Sequence, residues 1–180
     1  MTEAVIEGKR INQCQIRLVK GDIAELDVDA FVFYAQPDLA LGSGFGTTIS
    51  VRGGPSVQEE LKEMGPVETG AAVVSAAGKL KAGFIVHAVG PRFQEEDTEG
   101  KLRTTVINSL KQAEEKGIQR IAFPAMGAGY YGIAPDLSAR VMLDAFKSHL
   151  EGQTGIKELV VCVLDSNQYE AFKARLSTLG

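Results

Sequence analysis

The chain has 180 residues, 44% of them hydrophobic and 23% charged, which is enough to bury one substantial core and predicts a single domain over 1–180. Its 19 Lys and Arg against 23 Asp and Glu leave a net charge of −4, which argues against a broad electrostatic footprint for duplex nucleic acid while leaving room for a local phosphate site. No apolar run approaches the roughly 20 residues of a membrane span, and the opening MTEAVIEGKRINQCQIRLVK lacks a basic-then-apolar pattern, so a cytoplasmic location is expected.

In chain order, Ile16–Val19 reads as the first clear strand and is followed by Asp22. Asp22 with Glu25 three residues later has capping-box spacing, and such a cap contributes about 1 kcal/mol. The same carboxylate suits a second role, accepting a hydrogen bond from an amino group such as the exocyclic amine of a base; spacing alone favours the cap. Ala30–Tyr34 is the next strand, and the glycine-rich stretch LGSGFGTTI follows it. Ser56–Met64 has helical spacing, Ala71–Ala76 and Phe84–Val89 read as strands, and the acidic QEEDTEGK at 94–101 reads as a solvated loop.

Leu102–Lys116 is an amphipathic helix with Val106, Leu110 and Ala113 on one face and Gly117 as its stop. Strand Ile121–Phe123 leads into the second glycine-rich stretch, FPAMGAGYYGIAP, whose Pro135 opens a helix running to Leu150. Strand Leu159–Leu164 and helix Gln168–Leu176 complete the chain. Strands such as DAFVFYA, GFIVHAVG and ELVVCVL are apolar on both faces, as central strands covered on both sides would be. The order of elements predicts an α/β fold, a three-layer α/β/α sandwich with a mixed, mostly parallel central sheet.

In such sheets ligands settle beyond the carboxyl ends of the strands, and both glycine-rich loops lie at such ends. Glycine lets a backbone approach a ligand and aim successive N–H groups at it. An N–H donated to a charged oxygen contributes about 1.5–3 kcal/mol, whereas a helix dipole gives typically below about 1 kcal/mol, so aimed amides outweigh the dipole. A phosphate site of this kind needs no lysine, which fits an acidic protein.

Gly127, Gly129 and Gly132 also satisfy G-x-G-x-x-G, but no acidic residue follows at the end of a strand some 20 positions on; Asp144 and Glu151 fall in or beside a helix. No G-x-x-x-x-G-K-[ST] occurs. Cys14 and Cys162 read as reduced core residues, His87 as a core histidine and His149 as a solvated one near a helix end. No metal-ligand spacing and no catalytic residue can be assigned, and no metal or cofactor is expected. Phe45, Tyr130 and Tyr131 suit either stacking on a ligand or packing at a loop edge.

Taken together, LVKGDIAELDVDAFV, GSGFGTTISVRGGPSVQEE, ETGAAVVSAAGKL, FIVHAVGP and IAFPAMGAGYYG resemble, in order, the blocks of the macrodomain family, the ADP-ribose-binding modules that include ADP-ribose 1''-phosphate-processing members; the resemblance covers Ile16 to Leu176. It implies that Asp22 accepts the adenine amine beside Ile23, and that Gly42, Ser43, Gly44 and Phe45 lie along the proximal ribose and diphosphate. It further implies that the amides of Gly127, Ala128, Gly129, Tyr130 and Tyr131 hold the diphosphate. Leu164 stands where an aromatic residue often stacks on the adenine side.

The family stretch N-A-A-N is FYAQ here, with Phe33 and Gln36 at the asparagine positions, and Gly46 replaces an aspartate of many hydrolytic members. Gln36 retains an amide for the distal ribose; Phe33 has no hydrogen-bonding group. The resemblance therefore implies binding of ADP-ribose or a derivative, free or attached to protein. The alternative is a hydrolase that removes ADP-ribosyl groups from protein or processes ADP-ribose 1''-phosphate or O-acetyl-ADP-ribose.

Overall fold

The computed structural model describes residues 7–42, 44–92, 94–129 and 131–179. The described residues form seven strands: β1 (Glu7–Ile11), β2 (Cys14–Lys20), β3 (Ala30–Tyr34), β4 (Ala72–Ala76), β5 (Phe84–Ala88), β6 (Arg120–Phe123) and β7 (Glu158–Val163). Five helices accompany them: α1 (Phe45–Gly53), α2 (Ser56–Lys62), α3 (Thr98–Glu115), α4 (Pro135–Glu151) and α5 (Ser166–Thr178), with a 3-10 turn at Ile23–Glu25.

The strands form one sheet in the order β1-β2-β7-β6-β3-β5-β4. Its outer pairs, β1 with β2 and β4 with β5, are antiparallel, and every pair between β2 and β5 is parallel. Period-two alternation divides each central strand between two cores. Ala30, Val32 and Tyr34 of β3 face one core, with Leu102 and Val106 of α3, Phe146 of α4 and Phe172 of α5. Phe31 and the half-buried Phe33 face the other, with Ile49 of α1 and Leu61 of α2. The sheet is thus the middle of three layers, and both faces must be apolar to bury it. Fully buried side chains such as Phe31, Phe123 and Phe146 each contribute about 1.5–3 kcal/mol.

Several boundaries differ from the sequence reading for local reasons. β1 was not expected; its polar EGKRI carries little alternation and pairs only as an antiparallel edge to β2. α1 stands where the sequence predicts a loop, because Gly46, Thr47, Thr48 and Ser50 are weak helix formers; buried Ile49 and the packing of Phe45 hold it. The acidic segment is only partly loop, since the Asp97 side chain caps α3 by accepting from the Gly100 amide at 3.3 Å and the helix begins at Thr98. Likewise Asp165 accepts from the Gln168 amide at 2.8 Å and starts α5 two residues early. His149 is not solvated: Glu114 of α3 holds its Nε2 at 2.7 Å.

Candidate functional site

β3 and β6 are sheet neighbours, Ala30 opposite Ile121 and Phe31 opposite Ala122, yet the chain leaves them in opposite directions. From β3 it passes to α1 and α2 on one face and on toward β4 and β5; from β6 it passes to α4 on the other face and on to β7. Divergent exits from adjacent parallel strands open a crevice at the carboxyl edge, a topological switch point. The cleft found there is about 810 Å³ and runs along the ends of β2, β7, β6 and β3, three strand spacings or about 14 Å.

The middle of the cleft is the loop after β6. Pro124, Ala125, Gly127, Ala128 and Tyr131 line it. The amides of Ala128, Gly132 and Ile133 are used inside the loop, by the carbonyls of Ala125 (3.2 Å), Gly129 (3.0 Å) and Gly127 (3.0 Å). The Gly127 amide bonds no other group among the described residues, whereas the bridge between Ala128 and Ile133 turns the Gly129 amide toward the Ile133 carbonyl. Gly127 is required by its surroundings: its φ is +76° and a Cβ would lie 2.2 Å from Ile133 Cδ1. Gly129, at φ +83°, has nothing within 4 Å of such a Cβ. The facing wall is α1, whose N-terminal Gly44 and Phe45 line the cleft at the β3 end and whose Arg52 lines it at the β2 end. In its first turn the Thr47 N–H donates to the Gly44 carbonyl at 3.1 Å, while those of Phe45 and Gly46 lack intrahelical acceptors by construction.

At the β2 end, Asp22 Oδ1 accepts from the Ala24 amide at 3.0 Å, capping the 3-10 turn, while Oδ2 accepts from Arg52 at 3.0 Å. Arg52 also pairs with Glu25, so that carboxylate does not close a capping box on Asp22. Leu164, 77% exposed, Lys20 and Gln168 complete this end. Beneath them Cys162 donates to the Gly21 carbonyl; burial, with the Asp22 charge, pushes its thiol up to about 12, so it stays protonated and unreactive.

At the β3 end the lining is Val32, Phe33, Tyr34, Gln36, Phe45 and Tyr131. Phe45 lies edge-on to Phe31 at 5.9 Å and tilted to Phe33 at 6.2 Å, and Tyr131 lies against Tyr34 at 4.7 Å. The Tyr34 hydroxyl donates to the Pro91 carbonyl at 2.5 Å. His87, behind Phe33, is fully buried with its Nε2 2.8 Å from Ser75 Oγ, and burial pushes it down to about 3, so it is a neutral core residue and no base for the cleft. Among the described residues, no group of three or more His, Cys, Asp or Glu is placed to hold a metal ion.

The Macro domain model matches residues 35–142 of this sequence. The chain belongs to the Macro domain family. It is 37% identical over 164 residues to a macro domain-containing protein of Caldanaerobacter subterraneus, covering 88% of this chain and 93% of that one. An uncharacterized protein of Saccharolobus solfataricus is 36% identical over 169 residues, covering 92% and 94%. Among solved structures the fold matches the Oceanobacillus iheyensis macrodomain with ADP (TM-score 0.90, 24% identity, 96% of this chain and 95% of that one). It also matches the Trypanosoma brucei macrodomain in complex with ADP-ribose (TM-score 0.83, 23% identity, 89% and 68%).

Of the residues singled out in the sequence, this macrodomain brings Asp22, Ile23, Gln36, Gly44, Phe45, Gly127, Ala128, Tyr131 and Leu164 to one cleft. Gly42 and Gly129 belong to the two loops without lining it, and Ser43 and Tyr130 lie outside the described residues. Sequence reasoning missed Arg52, Thr48 and Ala40, all in or next to the helix it did not foresee, and Lys20 and Gln168. Lys20 adjoins Asp22 in sequence and was within reach of the same argument; nothing in the sequence pairs Arg52 with a residue 30 positions earlier.

Proposed function

We propose that this macrodomain binds ADP-ribose or a derivative, free or attached to protein, across the carboxyl edge of its sheet. The observation that carries the reading is the pair of glycine-rich segments after adjacent strands β3 and β6, lining a single cleft with Asp22 at one end. Asp22 accepts the adenine amine, and Leu164 backs the ring. The diphosphate lies against the loop after β6, where the Gly127 amide donates to its oxygens, opposite the first turn of α1. The distal ribose then reaches the β3 end, beside Gln36. ADP and ADP-ribose in the complexes of structurally similar macrodomains support the ligand class.

Binding without turnover is the reading we favour. The ionised groups lining the cleft, Lys20, Asp22 and Arg52, belong to its β2 end, so the β3 end offers Gln36 and tyrosines to the anomeric carbon. A carboxylate at position 46 does not fit the present backbone, since a Cβ on Gly46 would lie 2.5 Å from the Leu41 carbonyl oxygen. Incubation with protein ADP-ribosylated on glutamate tests this. Retention of the modification together with measurable affinity supports a binding module; release of ADP-ribose supports the hydrolase instead.

A further inference from the structure

We propose that the β3 end of the cleft is a subsite for a second aromatic ring, so that the ligand class extends to dinucleotides whose distal ribose carries a planar heterocyclic base with a carboxamide. The inference rests on the ADP-ribose reading for the other three subsites and adds a fourth.

Three observations carry it. First, Phe33 and Phe45 are both only half-buried although they line the cleft, and each is braced from behind, Phe33 edge-on to His87 at 6.0 Å and Phe45 edge-on to Phe31 at 5.9 Å. Braced rings that stay partly exposed in the cleft, 6.2 Å apart and tilted to each other, are preorganised to receive an aromatic partner, and they offer the hydroxyls of a bare ribose nothing to bond. Secondly, the lining at this end carries no Lys, Arg, Asp or Glu. A ring bearing positive charge therefore meets aromatic faces with no repelling cation nearby. Thirdly, the Gln36 side chain lines the same end and has no hydrogen-bond partner among the described residues. A primary carboxamide is its complement, since each amide offers both a donor and an acceptor.

The order of strands fixes the order of subsites. Asp22 follows β2 and Phe33 lies one residue from the end of β3, with the diphosphate loop of β6 between them. A molecule seated with its adenine on Asp22 and its diphosphate on that loop presents whatever its distal ribose carries to Phe33, Phe45 and Gln36.

Titration calorimetry of the full chain with ADP-ribose and with oxidised nicotinamide adenine dinucleotide tests the proposal. The expected result is dinucleotide affinity equal to or tighter than that of ADP-ribose. In Phe33→Leu and Phe45→Leu, which keep apolar bulk, the ratio of the two dissociation constants should move at least fivefold against the dinucleotide. Gln36→Ala, on a partly exposed loop position, should move it the same way and serves if either leucine variant fails to fold. Dinucleotide binding tenfold or more weaker than ADP-ribose in the unmodified protein overturns the proposal and leaves the ADP-ribose reading standing, as does a ratio indifferent to the substitutions. Absence of binding to either ligand overturns both.

Discussion

Arg52 Nη1 donates to Asp22 Oδ2 at 3.0 Å, tying the C-terminal end of α1 to the turn after β2 and closing one end of the cleft. Asp22 thereby cap-bonds Ala24, pairs with Arg52 and lines the cleft at once. Because about a third of each partner remains exposed, the pair contributes little to stability on its own. Its value lies in fixing where the carboxylate points.

Asp22→Asn should separate these roles. The amide oxygen still caps Ala24, so the melting temperature should fall less than in Asp22→Ala, which loses a cap worth about 1 kcal/mol. Both variants lose a charged acceptor for the base, about 1.5–3 kcal/mol, so affinity for ADP-ribose should drop tenfold or more in each. Calorimetry and thermal melts on the two proteins check this; undiminished affinity in both would assign Asp22 to the cap alone.

The two glycines of the loop after β6 should fail differently. Gly127→Ala forces a Cβ into Ile133 at positive φ and should cost about 1–3 kcal/mol of stability. A Cβ on Gly129 would meet nothing within 4 Å, so beyond its φ strain of about 1–2 kcal/mol Gly129→Val should act on the ligand lying against the loop, as at least a tenfold loss of ADP-ribose affinity. Denaturant melts beside binding titrations distinguish the two patterns.

Leu164→Phe should tighten binding. The leucine is 77% exposed at the β2 end, so an aromatic ring there can lie against the base without repacking the core. A stacking gain of about 0.5–1.5 kcal/mol corresponds to roughly a two- to tenfold lower Kd.

Glu114 provides a pH signature away from the cleft. Although desolvation opposes it, donors from Thr154, the Gly155 amide and His149 hold its carboxyl below the usual carboxylate range. A carboxylate depressed in the folded state contributes stability that is present above its unfolded pKa, about 4.3, and is lost as pH falls through the folded value. Glu114→Gln should therefore be less stable than the parent at pH 7, and the difference should shrink on acidification below about pH 4. Denaturant unfolding at pH 7 and pH 3.5 checks this.

The central strands were legible because burial on both faces leaves near-continuous apolar runs; the period of α3 and Pro135 at the start of α4 were equally plain. α1 was not, since Phe45 and Ile49 are scarcely a pattern among glycines and hydroxyl residues, and their packing partners Phe31 and Phe33 lie in another strand. The same blind spot hid Arg52, whose role is a contact across 30 residues. Asp22 and the loop after β6 could be found because turn chemistry and glycine spacing are local. That Gly46 is sterically closed by Leu41, and that Phe33 stands braced rather than buried, are facts of packing that no spacing records.

The most direct test of the account is titration calorimetry with ADP-ribose on the parent protein and on Gly129→Val. Saturable one-to-one binding by the parent, weakened at least tenfold in the variant while its fold persists, is the predicted result. No heat of binding at millimolar ADP-ribose, or equal affinity in both proteins, would contradict the claim that main-chain amides of the loop after β6 hold the diphosphate.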